Sequence, residues 1–160
     1  MMNEKAQAFD AFKLLIAAIV AGAILVILLT MLSSIIPIGQ DPFDTIAEGI
    51  TSTKGTLGKN YISTQEVRFV KDRMFLANAL SDKAQINKDE VCFCTPEPNS
   101  ICPDDVMSVL GNYSFDSSYF YIDKRCFESG HYLRAKRDIS GRIMVYHHTN
   151  GKYYVGFNPG

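Results

Sequence analysis

The stretch LLIAAIVAGAILVILLTML, from Leu14 to Leu32, decides the architecture of this chain. It holds 19 residues without a charge, and it is apolar on every face of a helix. At about 1.5 Å per residue such a helix is about 29 Å long, close to the roughly 30 Å hydrocarbon core of a bilayer. The roughly 120 residues that follow cannot easily wrap it in a soluble core. We therefore expect a transmembrane helix over residues 14–36, in contact with membrane lipid.

A removable secretory signal peptide is the main alternative for this stretch. The apolar region of such a peptide is shorter, about 7–15 residues, and it ends at a small-x-small cleavage site. The run here is longer, and it is followed by Ser33, Ser34 and then Pro37. We therefore expect the helix to remain in the mature protein.

The residues that flank the apolar stretch predict its orientation. Lys5 and Lys13 precede it, whereas Asp41 and Asp44 follow it. Because basic residues near the ends of a span favour the cytoplasmic side, the N-terminus is expected inside and the C-terminal domain outside. Four cysteines in the C-terminal part suit an oxidising exterior. Asn112, in the triplet Asn-Tyr-Ser, is a candidate glycosylation site there.

The segment Lys5-Ala6-Gln7, followed by the apolar run, resembles the class III signal peptides of archaeal type IV pilin-like proteins. In that family a prepilin-type peptidase removes a short basic leader, and the apolar helix anchors the precursor before it packs into a filament core. The resemblance implies cleavage between Ala6 and Gln7, and association with other pilin-like subunits. It is confined to residues 1–35.

Two further features of the helix bear on association. Lys13 lies at the start of the apolar run, and Asp10, three residues earlier on the same helix face, is its predicted partner. Small residues recur about one turn apart, which lets membrane helices approach closely. The small residues predicted to form a helix-packing surface are Ala17, Ala18, Ala21 and Gly22.

The four cysteines follow the pattern Cys92-x-Cys94-x7-Cys102-x23-Cys126. Cys92 and Cys94 are two apart in a predicted strand, so their side chains share one face. Of the three possible pairings we favour Cys94 with Cys102 and Cys92 with Cys126. One alternative is a metal site that combines these thiols with His131, His147 or His148, but the spacing lacks the paired Cys-x2–4-Cys knuckles of zinc sites. The other alternative is that the thiols are free. We expect no metal and no cofactor.

The rest of the chain predicts an α+β fold. A tail or leader over residues 1–13 precedes the span, a stalk over residues 37–60 follows it, and a small disulfide-tied extracytoplasmic domain with an antiparallel sheet occupies residues 61–160. Within the stalk, apolar residues from Phe43 to Ile50 recur at helical spacing. Further strands are predicted at 67–70, 90–94 and 119–122, helices over 74–84 and from Pro103 to Gly111, and a type I′ hairpin at Asn150-Gly151.

Charge is uneven in the exposed part of the chain. Residues 41–123 hold 13 acidic and 7 basic side chains, whereas residues 124–160 hold 2 and 7. The simplest interpretation is that the two halves pair across one domain. The alternative is a basic face for nucleic acid or acidic glycan, with tyrosines between the cations. The residues of that face are Arg134, Lys136, Arg137 and Lys152, and its tyrosines are Tyr132, Tyr153 and Tyr154.

Catalytic motifs are not evident in the sequence, which has no nucleophile elbow, phosphate loop or paired metal-ligand motif. Cys126 and His131, five residues apart, are a weak thiol–imidazole candidate. His147 and His148 are adjacent in a predicted strand, so their rings face opposite sides. We therefore expect a non-enzymatic surface protein, either a pilin-like filament subunit or an uncleaved single-span protein whose domain binds a protein, glycan or cell-wall partner.

Overall fold

The computed structural model describes residues 2–35, 40–96 and 102–160. The chain divides into two compact units, residues 1–38 and residues 39–160. The first unit contains one helix, α1 (Met2–Ile35), which begins well before the apolar stretch. The segment expected to be a separate polar tail is therefore helical from Met2 onward. Residues 36–39, where the predicted span ends and the predicted stalk begins, lie outside the described residues.

Helix α1 is exposed along its whole described surface. Every side chain from Asn3 to Met31 is exposed, and this segment is long and apolar enough to cross a membrane. The predicted pairing of Lys13 with Asp10 is wrong: within the described residues, Lys13 forms no ion pair with Asp10. The Lys13 ammonium instead lies 4.7 Å from the centroid of the Phe9 ring, one turn earlier on the helix.

The second unit is α+β, as predicted. Its helices are short, and its strands form one sheet of five strands and one of three. The elements are α2 (Pro42–Thr53), β1 (Asn60–Ile62), β2 (Val67–Phe69), β3 (Met74–Leu76), α3 (Ala77–Ala84), β4 (Val91–Phe93), α4 (Asp104–Leu110), β5 (Phe120–Asp123), β6 (Tyr132–Ala135), β7 (Ile139–His147) and β8 (Tyr153–Pro159).

The large sheet is mixed rather than purely antiparallel. Its centre is β7, which pairs with β8 on one side and with β1 and β2, one after the other, on the opposite side. Strand β4 pairs with β8 in parallel at the edge. The small sheet has the order β3-β6-β5 and is antiparallel throughout. The helix predicted over 74–84 begins only at Ala77, because the preceding three residues pair with β6 as strand β3.

The β7–β8 hairpin has the predicted strands but a wider turn than type I′. The Gly151 N–H donates to the His148 carbonyl at 3.0 Å, and the His148 N–H donates to the Lys152 carbonyl at 2.9 Å. Gly151 has a φ of +82°, whereas Asn150 has no positive φ. A type I′ turn requires positive φ at both central residues, so this connection is a three-residue loop that ends in a glycine bulge.

The segment expected to be a stalk contributes to the core of the domain instead. Asp41 caps the N-terminus of α2, and its carboxylate accepts a hydrogen bond from the Phe43 N–H at 2.9 Å. Pro42 is the first residue of the helix. Its apolar face, which includes Ile46 and Ile50, is buried and packs against β7. The boundary predicted at residue 61 is therefore wrong, because burial of this face makes the helix part of the domain.

An aromatic cluster joins the two sheets. Phe69, on β2 of the large sheet, contacts Phe75 and Phe120 of the small sheet edge-to-face, with ring centroids 5.2 and 5.1 Å apart. Phe157 on β8 and Phe115, in the segment before β5, complete the cluster around it. All five rings are buried, and edge-to-face pairs of this kind add about 0.5–1.5 kcal/mol each beyond their area burial. The cluster fixes how the two sheets pack within the domain.

Candidate functional site

The four cysteines lie together in a second, smaller apolar cluster. Cys92 lies at disulfide distance from Cys126, and Cys94 lies at disulfide distance from Cys102. This is the pairing that the spacing favoured. Strand β4 presents Cys92, and Cys94 follows directly after the strand, so both side chains reach the same side of the sheet. The two bridges tie β4 to the start of α4 and to the β5–β6 loop.

The two bridges are packed against each other inside the domain. The Sγ atoms of Cys92 and Cys102 are 3.4 Å apart, which is van der Waals contact for sulfur. Both residues are buried, and Cys126 is half-buried at the edge of the cluster. The surrounding apolar side chains come from α4, β7 and β8, and they are Val106, Leu110, Met144 and Tyr154.

His131 is a buried residue beside the cysteines. Its Nε2 accepts a hydrogen bond from the Phe93 N–H at 3.1 Å, and its Nδ1 lies 3.2 Å from the Asp123 carbonyl and 3.3 Å from the Lys124 carbonyl. Carbonyls only accept, so the proton of the neutral ring is on Nδ1. Burial lowers the pKa of His131, against the opposing effect of these carbonyls. The neutral ring, stacked on Phe93, ties the β5–β6 loop to β4.

The thiol–imidazole candidate is close in space but has no free thiol. Ligand atoms of Cys92, Cys126 and His131 lie within 4.8 Å of one another, as do those of Cys92, Cys94 and Cys102. The sulfur atoms of both groups are paired, and both nitrogens of His131 have hydrogen-bond partners. The thiolate is the form of cysteine that acts as a nucleophile or metal ligand, and a sulfur in a disulfide is not a thiolate. In this arrangement the cysteines therefore act as cross-links between segments of the domain.

His147 is the last residue of β7 and His148 follows it directly, and the two rings face opposite sides, as predicted. The His147 ring is buried, with Nδ1 2.9 Å from the Thr53 carbonyl, and it stacks on Tyr153. His148 is on the other side of the strand, where its Nε2 lies 2.6 Å from a carboxylate oxygen of Asp105. The hydrogen bond from His148 holds the pKa of Asp105 below its usual value. The two rings therefore belong to separate sites.

The predicted basic face is divided between the two sheets. Lys152 lies in the β7–β8 turn of the large sheet, with its ammonium 5.0 Å from the centroid of the Phe127 ring. Tyr153 and Tyr154, which were expected to lie between the cations, are buried. That part of the prediction is wrong, because these two residues pack inward from β8 and offer no aromatic surface to a ligand.

The other three basic residues do lie at one corner of the domain. Arg134 is on β6, with its guanidinium carbon 5.3 Å from the centroid of the Tyr121 ring, and Arg137 lies 4.2 Å from that of Tyr119. Lys136 donates a hydrogen bond to the Ser117 carbonyl at 2.7 Å. In the part of the chain that the structure describes, none of these three cations forms an ion pair with a carboxylate. Sequence inspection missed both tyrosines, because their positions beside β6 depend on strand pairing.

The remaining predicted site residues are accessible. Asn112 lies in the exposed turn after α4, where a glycan has room. A Cβ at Gly22 would meet nothing within 4 Å. The residues of the predicted cleavage site and helix-packing surface are all exposed on α1, and they are Ala6, Gln7, Ala17, Ala18, Ala21 and Gly22.

Comparisons of the chain with protein-family models, with curated proteins and with solved structures found no match.

Proposed function

We propose that this chain is a non-enzymatic surface protein, anchored in the membrane by α1 and carrying residues 39–160 as an outward-facing domain. One observation carries the proposal: the apolar side chains of α1, as far as Met31, are all exposed. Exposed apolar surface costs roughly 25 cal/mol per Å² in water, so a helix of this kind needs lipid or other helices around it. A bilayer supplies that environment over a matching length.

The outward orientation is supported at both ends of the chain. Lys5 and Lys13 flank the N-terminal side of the apolar stretch, as is usual on a cytoplasmic side. The domain contains two bridges at disulfide distance, Cys92–Cys126 and Cys94–Cys102, which persist in oxidising compartments.

Within this class, we propose that the chain is a subunit of an archaeal pilin-like surface filament. The support is the resemblance of Lys5-Ala6-Gln7 and the following helix to class III signal peptides. Removal of residues 1–6 would leave a helix that begins at Gln7 and is apolar from Leu14 onward. Its exposed small residues, at Ala17, Ala18, Ala21 and Gly22, would then pack against neighbouring helices.

The experiment is to produce the full chain in membranes that contain an archaeal prepilin-type peptidase, and to measure its intact mass and N-terminal residue. We expect a chain that begins at Gln7, or at its cyclised form. Lys5→Glu removes the basic character of the leader and should leave the chain uncut. Glu4→Gln is the matched control at the neighbouring position, and it should be cut normally.

A chain that still begins at Met1 or Met2, beside a peptidase that cuts a control prepilin, would contradict the filament proposal. The alternative would then lead: an uncleaved single-span protein whose domain binds a partner. The observation that favours this alternative is the corner of the domain at Arg134, Lys136 and Arg137, where three cations lack carboxylate partners among the described residues.

A further inference from the structure

The small sheet has one face in the core and one face open to solvent. Side chains alternate between the two faces along each strand. On β3 the Phe75 ring is buried, whereas Met74 and Leu76 beside it are 52% and 45% exposed. Tyr121 on β5 is 40% exposed. The residues of this surface, which we call the open face, are Met74, Leu76, Tyr121, Asp123, Tyr132 and Arg134.

The strand register places a cation in the middle of this apolar and aromatic surface. Arg134 lies opposite Met74 on one neighbouring strand and opposite Tyr121 on the other. Tyr132, two residues before Arg134, lies opposite Leu76 on one neighbouring strand and opposite Asp123 on the other. The rings of Tyr121 and Tyr132 have centroids 6.1 Å apart. The open face is therefore an aromatic platform with one guanidinium, that of Arg134, at its centre and one carboxylate, that of Asp123, at its edge.

Two more cations follow directly at the end of β6. Arg137 lies over Tyr119, and Lys136 is exposed beside it. Elsewhere in the domain, by contrast, Arg68 forms an ion pair with Asp138 at 3.0 Å, and Arg73 forms one with Asp41 at 2.8 Å. The cations on and beside the open face have no carboxylate partner among the described residues. Apart from the hydrogen bond from Lys136 to the Ser117 carbonyl, their donors are available to an external anion.

We propose that the open face, together with Lys136 and Arg137, binds an acidic polysaccharide of the uronic acid type. Tyrosine rings offer an apolar face to the C–H surface of a sugar and a hydroxyl to its polar edge. The guanidinium of Arg134 matches a carboxylate in a bidentate arrangement. This inference goes beyond the anchoring role, and it does not depend on cleavage of the leader.

The charges favour a uronic acid polymer over duplex nucleic acid. Duplex DNA carries one negative charge per about 1.7 Å of helix axis, and a protein that neutralises about 6–10 of its phosphates needs as many cations. This corner offers Arg134, Lys136 and Arg137. The whole chain carries a net charge of −1, so it has no broad positive field to attract the closely spaced phosphates of a duplex. A uronic acid polymer carries one carboxylate on each sugar and offers apolar C–H surfaces to the tyrosine rings, so it can use both the cations and the stacking surface of this corner.

The test uses the full chain in nanodiscs of zwitterionic lipid, with polygalacturonate as the probe and calorimetry as the readout. Arg134→Ala and Arg137→Ala should each weaken binding by about tenfold, the usual effect of losing a charge-assisted hydrogen bond. Tyr121→Ala should weaken binding several-fold, and Tyr121→Phe should restore it. Arg142→Ala is the matched control, because Arg142 is exposed on β7 of the large sheet.

Three results would overturn the proposal. One is the absence of binding by a chain whose near-ultraviolet circular dichroism shows a folded domain. Another is equal binding of neutral dextran or of an oligothymidylate, since the surface would then recognise neither acid nor sugar. The last is an equal loss of affinity in the Arg142→Ala control, which would mean that only overall charge matters.

Discussion

Breaking the Cys92–Cys126 bridge should destabilise the domain more than breaking the Cys94–Cys102 bridge. The two bridges join residues that are 34 and 8 positions apart. With these separations as loop lengths, the loop-closure model gives losses of about 3.8 and about 2.5 kcal/mol at about 25 °C. The longer loop costs more because the open chain gains more conformational freedom. The expected difference is therefore about 1.3 kcal/mol.

The perturbation is a pair of double variants, Cys92→Ala/Cys126→Ala and Cys94→Ala/Cys102→Ala, compared with the unreduced parent chain. Packing opposes the predicted order, because Cys94 and Cys102 are both buried whereas Cys126 is half-buried. The cavity cost should therefore be larger for the variant with the shorter loop. If the Cys92–Cys126 variant is still the less stable, loop closure is the dominant effect.

The assay is urea unfolding of the full chain in detergent, followed by tyrosine fluorescence. All eight tyrosines lie in the second unit, from Tyr61 onward, and the chain has no tryptophan, so the signal reports on the domain alone. The two variants should differ in midpoint by about 0.5–1 M urea at the slopes usual for small domains. Equal midpoints, or a lower midpoint for the Cys94–Cys102 variant, would refute the loop-closure argument. Four reactive thiols in the unreduced parent would refute the bridges themselves.

Three further predictions concern the core and one turn. Gly49→Ala should destabilise the domain by about 1–3 kcal/mol, because its Cβ would lie 2.6 Å from Val145 Cγ2; urea midpoints test this, and the exposed neighbour Glu48→Ala should change little. Gly151→Ala should cost about 1 kcal/mol in the same assay, since a φ of +82° strains any residue with a Cβ. Burial holds the pKa of folded His131 below its ordinary 6.5, so the unfolded chain takes up the proton first. The free energy of unfolding should therefore fall as the pH drops below about 6.5, and His131→Gln should make the free energy of unfolding less dependent on pH.

Local chemistry made several features predictable from the sequence. The helical reading of the apolar stretch, the start of α4 at Pro103-Asp104 and its end at Gly111 follow from composition and from capping preferences. The cysteine pairing followed from the face shared by Cys92 and Cys94 and from the short loop to Cys102. Each of these depends on residues that are close in sequence or on the two-residue period of a strand.

The features that could not be predicted from the sequence depend on pairing between distant segments. Met74–Leu76 continues the helical periodicity of α3, yet it is a strand because β6 supplies its hydrogen-bond partners. The apolar stripe of α2 was visible, but only the sheet beneath it shows that residues 42–53 belong to the domain. Lys152 and Arg134 share a charge and a sequence region, yet strand order assigns them to different sheets.

The order of the strands along the chain has a consequence for biosynthesis. β7 forms the ladder for β1 and β2, and β8 forms it for β4, so the earlier strands of the large sheet all await partners translated after them. While a ribosome is still making residues 102–138, those strands have no ladder to join, and pairing over such separations is slow. Nascent domains halted before β7 would present bare strand edges and the side chains of an unfinished core, which are targets for chaperones and proteases. The large sheet can therefore be completed only after β8 has been translated.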